Sequence, residues 1–214
     1  MRTADALLVD LDGTIVDSRL PYTRSLNAAL RAVGLQPHPP AELHRYLGPP
    51  IHETLVEHLG VPPELVDEII ARYRERYAGP GLQETTAFPG VLELLHALHG
   101  RVRLALATSK VQTLAEPLLE RLGVRELFEV VAAPLPDAVN ESKATTVATA
   151  LRRLGGATAP VMVGDRRHDV EGAAAHGVPT IGVLWGVGSE AELREAGAWA
   201  LVRQPEEIPA LIGL

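Results

Sequence analysis

The sequence has no cysteine, little lysine and an excess of negative charge. The lack of cysteine excludes disulfide frameworks, zinc ribbons, iron–sulfur clusters and thiol nucleophiles. A net charge of −7 argues against nucleic acid as the main partner, because phosphate backbones are bound by excess positive charge. Charged residues interrupt the first residues before an apolar run of signal-peptide length accumulates. We therefore expect no targeting segment, no membrane partner and a cytoplasmic protein.

Length and composition indicate a globular chain. At about 150 residues per domain, 214 residues leave room for one full domain and a small appendage. Apolar residues make up 46% and charged residues 22% of the chain, which are ordinary globular values. The chain is long enough to bury a sizeable core.

The scarcity of lysine singles out two positions. Of 20 basic residues, only Lys110 and Lys143 are lysines. Lysine is a compact point charge and arginine a planar fork, so a site shaped for one ammonium resists exchange. Two surface lysines retained by chance are the alternative.

Short apolar runs separated by amphipathic patterns predict a parallel sheet. The runs are Ala6 to Val9, Leu104 to Ala107, Val161 to Gly164 and Ile181 to Leu184, with weaker ones near Val130 and Ala200. Such runs are typical of buried parallel strands, and leucines at helical spacing in 91–98 and 114–122 predict helices between them. With right-handed crossovers, the predicted fold class is α/β, a doubly wound parallel Rossmann-like sheet.

Residues 17–84 have a different texture from the rest of the chain. They lack a strand-like run and hold nine of the 17 prolines and all four tyrosines. Prolines suited to a first helical turn and glycines suited to helix ends predict four helices. The prolines are Pro21, Pro40, Pro50 and Pro63, and the glycines are Gly34, Gly60 and Gly79. We expect a helical cap domain at 17–84, inserted into a core domain formed by 1–16 and 85–214.

Two aspartates follow the first predicted strand. Asp10 lies at the carboxyl end of that strand, where open α/β sheets bind ligands. Asp12 comes two residues later, and alternation along an extended chain places both carboxylates on the same side. The dipeptide Asp12-Gly13 is also typical of a hairpin turn, which is the alternative interpretation.

Three further motifs lie at predicted strand ends or helix starts. Asp165 follows the strand at Val161, with Asp169 one helical turn later, and a helix N-cap is the alternative for Asp165. Thr108 and Ser109 open a predicted helix, where free N–H groups favour an anion, or Ser109 caps it. Lys143 begins another helix, where a surface role is the alternative.

Taken together, these motifs indicate a site for a metal ion and a phosphate. Parallel strands bring their carboxyl ends to one edge of the sheet. Three carboxylates and a dianionic phosphate would repel by about 4 kcal/mol per pair of unit charges at about 4 Å and an effective dielectric near 20. Lys143 alone cannot offset that repulsion. A hard divalent cation held by oxygens can, which describes Mg²⁺.

The motifs carry a resemblance that covers almost the whole chain. The segment Asp10-Leu11-Asp12-Gly13-Thr14, then Thr108-Ser109, then Lys143, then Gly164-Asp165 with Asp169 match in order and spacing four family motifs. They resemble the haloacid dehalogenase-like superfamily of phosphohydrolases, in its branch of 5′-nucleotidases and phosphoglycolate phosphatases. Residues 17–84 resemble its small helical cap. The segment Ala133 to Glu141 departs from the family's Gly-Ser/Asp run, which leaves the substrate open.

The resemblance implies a Mg²⁺-dependent phosphatase acting on a small phosphorylated metabolite, not on a nucleic acid polymer. Asp10 would be the nucleophile and Asp12 the general acid and base. Thr108, the Ser109 N–H and Lys143 would bind the phosphoryl oxygens. The implied metal ligands are Asp10, the carbonyl of Asp12, Asp165 and Asp169.

Two other classes of function stay open. A phosphomutase would turn over a sugar phosphate without net release, and a receiver-type signalling domain would only accept a phosphoryl group. Asp12 and the inserted helices argue against the receiver, and Asp12 also argues against dehalogenation.

Several side chains outside the motifs have open roles. Lys110 is expected either on a helix surface or in contact with Asp165 or Asp169. Tyr46, with Arg45 beside it, is the expected substrate contact in the inserted segment. Tyr73 and Tyr77, four residues apart, are expected to pack that segment against itself.

Overall fold

The computed structural model describes residues 3–138 and 141–214. Its strands are β1 (Ala6–Val9), β2 (Val16–Asp17), β3 (Thr86–Ala87), β4 (Arg103–Ala107), β5 (Val130–Ala132), β6 (Pro160–Gly164), β7 (Thr180–Val183) and β8 (Ala200–Val202). Its helices are α1 (Arg19–Ala32), α2 (Pro40–His44), α3 (Ile51–Glu53), α4 (Pro63–Arg76), α5 (Leu82–Glu84), α6 (Val91–Leu98), α7 (Gln112–Arg121), α8 (Lys143–Leu154), α9 (Arg167–Ala174), α10 (Glu190–Glu195) and α11 (Ile208–Leu211).

Six of the strands form one parallel sheet in the order β5-β4-β1-β6-β7-β8. All six predicted apolar runs are strands of this sheet, which confirms the α/β fold class. Strand β1 is central, and Leu7 pairs with Leu104 on one side and Val161 on the other. The chain therefore reverses its strand order at β1, where open α/β sheets bind ligands.

Burial on both faces explains the unbroken apolar character of β1. Leu7 and Val9 belong to the core cluster that includes Leu118 of α7. Leu8 belongs to the opposite cluster, with Val147 of α8. Side chains alternate between the two helical layers, so no position of the strand faces water.

The segment between β2 and β3 is helical, as predicted, but it contains five α-helices, α1 to α5, and not the four predicted. Strands β2 and β3 pair antiparallel where the segment leaves and rejoins the chain, and β2 spans the expected domain boundary at 16/17. Gly34 and Gly60 turn the chain with positive φ. The helix end predicted at Gly79 is wrong. A π-helical turn, Tyr77–Gly81, joins α4 to α5 there, because Pro80 has no N–H for a regular α-helical bond.

Among the helices that the structure describes, none combines the length and the apolar character needed to cross a membrane.

Candidate active site

The structure brings most of the predicted site residues together at the carboxyl edge of the sheet. Asp10 directly follows β1, Thr108 follows β4 and Asp165 follows β6. Lys143 is the first residue of α8, and Asp169 lies in the first turn of α9. All five side chains are buried. The ends of the strands and the starts of α8 and α9 therefore bring these side chains to one edge of the sheet, as the sequence predicts.

Three carboxylates form a compact cluster. One oxygen from each of Asp10, Asp165 and Asp169 lies within 4.8 Å of the others. Their residues are 4%, 0% and 1% exposed, so water does little to screen the repulsion between them. Buried like charges at this spacing are costly unless a cation or a proton neutralises them.

Lys143 supplies one cation to the cluster. Its Nζ lies 2.6 Å from Asp10 Oδ1 and 2.8 Å from Asp169 Oδ1, and it donates to the Ala107 carbonyl at 3.0 Å. Burial alone would lower the pKa of Lys143, but Asp10 and Asp169 raise it above its ordinary value. The side chain therefore stays an ammonium.

Burial and the remaining negative charge raise the pKa values of two of the carboxylic acids. Burial raises the pKa of Asp165 to about 8, with the charges of Asp169 and Asp10 adding to it. Burial also raises the pKa of Asp10 to about 7, although the Lys143 ammonium opposes the shift. In the absence of a further cation, the cluster thus binds protons in the neutral range.

Asp165 is fixed by the loops around it. Its Oδ2 accepts a hydrogen bond from the Val187 N–H at 2.7 Å, and its Oδ1 accepts one from Thr14 Oγ1 at 3.4 Å. The alternative of Asp165 as a helix N-cap is wrong. Arg166 is the N-cap of α9, and its N–H donates to Asp169 Oδ2 at 3.0 Å. Asp169 satisfies the helix end and leaves Asp165 to face the cluster.

Gly13 allows the first motif to pack against Asp165. Its φ is 86°, and a Cβ there would lie 2.3 Å from Asp165 Oδ2. Any side chain would therefore displace the carboxylate. The hairpin alternative for Asp12-Gly13 is wrong, because β1 pairs only in parallel with β4 and β6, and β2 pairs with β3.

The cluster fits a hard divalent metal ion. It offers three buried carboxylates within ligand distance of one another, and oxygen is the donor that Mg²⁺ and similar ions prefer. These three aspartates can therefore hold a divalent metal ion.

Lys110 forms a second buried ion pair. Its Nζ lies 2.9 Å from Asp12 Oδ2 and 4.0 Å above the centre of the Tyr77 ring. Both roles expected for Lys110 are wrong, since it lies neither on a helix surface nor against Asp165 or Asp169. The loop before α7 turns its side chain toward the first motif. Lysine scarcity singles out the residue, but nothing in the sequence pattern shows its contact with Tyr77 of the inserted segment.

The Thr108-Ser109 motif lies in a loop and not at a helix start. Helix α7 begins at Gln112 with Val111 at its N-cap, so both the capping role of Ser109 and the helix N-terminal anion site are wrong. Thr108 is buried, and its Oγ1 accepts a hydrogen bond from the Lys110 N–H at 3.1 Å. Ser109 lines two cavities, one that also borders Asp12 and one that also borders Lys143.

A chamber of about 230 Å³ lies between the inserted helices and the core, next to Asp12 and Ser109. Its walls are mainly aliphatic and aromatic side chains and prolines. They include Tyr22, Leu47, Pro49, Pro50, Ile51, Ile70, Tyr73, Val111, Leu114, Pro134 and Pro136, and the charged or polar lining residues are Asp12, His52, Asp67, Arg74, Ser109, Lys110 and Glu141. Residues 139 and 140, part of the departing segment 133–141, lie outside the described residues.

Tyr73, and not the predicted Tyr46, faces the chamber. Tyr46 does not line the chamber; it stacks on His58 at 4.5 Å. Arg45 contributes its carbonyl to the core contact, as an acceptor for Arg166 at 3.3 Å. Tyr73 lines the chamber wall and also packs against Tyr77 at 5.7 Å, so the packing predicted for that pair is present. Sequence spacing cannot show which ring of a packed cluster faces a cavity.

Two arginines that sequence reasoning missed join the inserted segment to the core. Arg166 donates to the carbonyls of Leu47 and Arg45 and pairs with Glu192 at 2.9 Å. Arg74 donates to the Pro136 carbonyl at 2.9 Å across the chamber. The only sequence signal for Arg166 is that it follows Asp165. Arg167 lies one residue further on, so this signal does not tell the two arginines apart.

A family model described as haloacid dehalogenase-like hydrolase matches residues 7–183. The match includes every strand end that carries the cluster. This chain belongs to the haloacid dehalogenase-like hydrolase family.

Relatives and solved structures extend the comparison. The chain is 41% identical over 185 residues to the tyrosine-protein kinase PtkA of Mycobacterium tuberculosis, covering 85% of this chain and only 62% of PtkA. It is 36% identical to a 5′-nucleotidase of Pseudomonas aeruginosa, covering 88% of this chain and 86% of that protein. The crystal structure of a predicted phosphatase from Clostridium acetobutylicum matches with a TM-score of 0.92 at 29% identity, covering 99% of this chain and 100% of that one.

Proposed function

We propose that this haloacid dehalogenase-like protein is a Mg²⁺-dependent phosphatase that hydrolyses small phosphate monoesters through an aspartyl-phosphate on Asp10. One observation carries the proposal. Asp10 lies in a buried cluster with Asp165 and Asp169, and the Lys143 ammonium lies 2.6 Å from its Oδ1. A carboxylate held between a cation and a metal-binding pair of acids is suited to attack phosphorus.

In the first half of the reaction, Asp10 attacks the phosphorus atom and the bond from phosphorus to the ester oxygen breaks. Asp12 gives a proton to the departing oxygen, so the product alcohol leaves neutral. Thr108 Oγ1, the Ser109 N–H and Lys143 Nζ bind the phosphoryl oxygens while charge moves onto them.

In the second half, a water molecule attacks the phosphorus of the aspartyl-phosphate and loses its proton to Asp12. The bond from phosphorus to Asp10 breaks, which releases inorganic phosphate and restores the Asp10 carboxylate. Asp12 thus returns to the protonated form in which it began.

The metal ligands in this proposal are Asp10, the main-chain carbonyl of Asp12, Asp165 and Asp169. Bound there, Mg²⁺ would neutralise the carboxylates and the phosphate so that two negatively charged groups can approach each other.

The chamber favours a neutral leaving group among the substrates that the family allows. Lys110, one of its cations, is already paired with Asp12 at 2.9 Å. The other charged side chains among the described lining residues are Asp67, Glu141 and Arg74. A carboxylate-bearing product such as glycolate would meet an excess of negative charge there, whereas a nucleoside would meet aromatic and aliphatic walls. We therefore favour a nucleoside monophosphate over phosphoglycolate.

A phosphate-release screen tests the proposal. It compares nucleoside monophosphates, phosphoglycolate, sugar phosphates and pyrophosphate, with Mg²⁺ and with a chelator. We expect Mg²⁺-dependent release by the wild type and none by Asp10→Asn, because an amide does not attack phosphorus.

Other outcomes of the screen identify other functions. A phosphomutase would convert a sugar phosphate without release, and a receiver-type domain would stop after one phosphoryl group per chain. A kinase resembling PtkA would move phosphate from a nucleoside triphosphate to tyrosine. Each of these results, in place of turnover with release, would overturn the phosphatase proposal.

A further inference from the structure

Three separate segments meet at Lys110. The residue lies in the loop between β4 and α7, its ion-pair partner Asp12 follows β1, and Tyr77 follows α4 in the inserted helices. The side chains of Lys110 and Asp12 are 5% and 12% exposed. A long, flexible side chain is seldom buried this far unless it is paired, and here a pair within the core packs against a ring of the inserted segment.

The two oxygens of Asp12 have different surroundings. Its Oδ2 is held by Lys110 at 2.9 Å. Its Oδ1 is buried and accepts no hydrogen bond from the described residues, although Asp12 lines the chamber. A buried carboxylate oxygen without a partner is uncommon and requires an explanation. In this site, the leaving-group oxygen of a substrate in the chamber is a suitable partner.

The Tyr77 ring helps to fix the position of the Lys110 ammonium. Lys110 Nζ lies 4.0 Å from the ring centre of Tyr77, a distance typical of a cation–π contact. The hydroxyl of Tyr77 forms a hydrogen bond with Thr85 Oγ1 at 3.1 Å, which fixes the orientation of the ring. The ammonium is therefore held between a ring of the inserted segment and a carboxylate of the core.

We infer that Lys110 is a positioning residue that fixes Asp12 through Oδ2, so that Oδ1 faces the leaving-group oxygen, and that Tyr77 holds Lys110 in that position. The inference rests on the proposed phosphatase function and adds a residue to it. Each aspartate of the first motif then has its own lysine, Lys143 for Asp10 and Lys110 for Asp12. Proton transfer by Asp12 becomes dependent on closure of the inserted segment over the core.

Two aryl phosphates of similar shape isolate the step in question. p-Nitrophenolate leaves without a proton, whereas phenolate leaves much more readily when an acid protonates it. A loss that is larger for phenyl phosphate than for p-nitrophenyl phosphate therefore reports on the acid. Loss of general packing or of phosphate binding affects both substrates alike.

We expect Lys110→Met to lower kcat/KM for phenyl phosphate about tenfold more than for p-nitrophenyl phosphate, in the same direction as Asp12→Asn. Lys110→Arg keeps the charge and should recover part of the difference. Tyr77→Leu should show the same selectivity as Lys110→Met, and more of it than Tyr77→Phe, which keeps the ring. Arg72→Gln removes an exposed cation that pairs with Glu68 on α4 and serves as the charge control.

Equal losses on the two substrates in folded Lys110→Met, or no loss, would overturn the inference while wild-type turnover upholds the phosphatase. A wild type that releases no phosphate overturns the proposed function and this inference with it. If circular dichroism shows Lys110→Met unfolded, Tyr77→Leu and Lys110→Arg decide. A leaving-group ratio in Tyr77→Leu equal to that of the wild type then contradicts the inference.

Discussion

Lys143 and Lys110 each pair with an aspartate of the first motif, yet the two pairs are built from different parts of the molecule. Lys143 lies on α8 and contacts Asp10 and Asp169, which belong to the core. Lys110 contacts Asp12 on one side and the Tyr77 ring of the inserted helices on the other. The first pair lies wholly within the core, whereas the second also packs against a ring of the inserted segment.

This difference separates chemistry from selectivity. The Lys143 side faces the carboxylate cluster. In the proposed mechanism this cluster would bind the phosphoryl group and the metal ion, neither of which distinguishes one leaving alcohol from another. The Lys110 side faces the chamber, whose walls come from both the inserted helices and the core loops. Changes on the first side should therefore abolish turnover of every substrate, and changes on the second should alter the ranking of substrates.

Lys143→Arg gives the largest expected effect, because it changes the lysine that contacts the carboxylate cluster. The stem of Lys143 packs against α9 so closely that a Cβ on Gly172 would lie 2.7 Å from its Cγ. The wider guanidinium fork does not fit between Asp10 and Asp169. We expect kcat/KM to fall at least about a hundredfold, as for loss of a group that stabilises transition-state charge.

Lys110→Arg is the matched change on the other side, where the side chain borders a cavity. Its loss should be much smaller, since the cavity can accept part of the larger group. Steady-state kinetics on one substrate compare the two variants. Equal losses would show that the two lysines are not held differently.

The carboxylate cluster predicts a pH dependence of metal binding. An acid whose pKa is raised on folding stabilises the folded state below its unfolded pKa, and that contribution is lost as pH rises through the folded value. For Asp165 the window runs from 3.8 to about 8, and each pKa unit corresponds to about 1.4 kcal/mol. The metal-free protein should therefore lose stability as pH rises toward 8.

A divalent cation replaces the lost protons, so its stabilising effect should grow over the same range. We expect the Tm gain from Mg²⁺ over a chelator to be several degrees larger at pH 8 than at pH 6. Thermal unfolding of Asp165→Asn serves as the control, because it lacks the titrating carboxylate. A Tm gain that does not change with pH in the wild type would contradict this role for the cluster.

Arg166→Gln gives the smallest expected effect and tests the side that faces the inserted segment. It removes the hydrogen bonds that hold the loop at Arg45 and Leu47 over the core. We expect KM to rise several-fold with kcat less affected, because closure of a segment over the substrate contributes to binding. Limited proteolysis should cut this loop faster in the variant.

The neighbouring residue provides the control for that experiment. Arg167 is exposed and pairs with Glu171 on its own helix, so Arg167→Gln should behave like the wild type. An Arg166→Gln protein with unchanged KM and unchanged proteolysis would show that the loop is held by other contacts.

The sequence predicts the carboxylate cluster far better than the chamber. Asp10 and Asp165 directly follow apolar runs, and the carboxyl ends of parallel strands necessarily share an edge. Their convergence is therefore a property of the sheet. The six strands follow from the same pattern, because a sheet covered on both faces needs continuous apolar runs.

The chamber depends on contacts between segments that are distant in the chain. Three contacts depend on how the inserted helices sit on the core: Lys110 with the Tyr77 ring, Tyr73 rather than Tyr46 with the chamber, and Arg166 with Leu47. No local periodicity encodes that orientation. The start of α7 at Gln112 was missed for a related reason, since the loop at Thr108 and Ser109 is shaped by the site and not by helix propensity.

The central claim is that Asp10 carries the phosphoryl group, and chemical trapping tests it most directly. The enzyme is mixed with Mg²⁺ and a substrate that it turns over, quenched in acid within the first turnover, and treated with borohydride, which reduces an acyl phosphate to the alcohol. Mass spectrometry of the peptide that contains Asp10 then locates the change. We predict homoserine at position 10, dependent on substrate and absent from Asp10→Asn. Reduction at another carboxylate, or at none while phosphate is still released, would contradict the account.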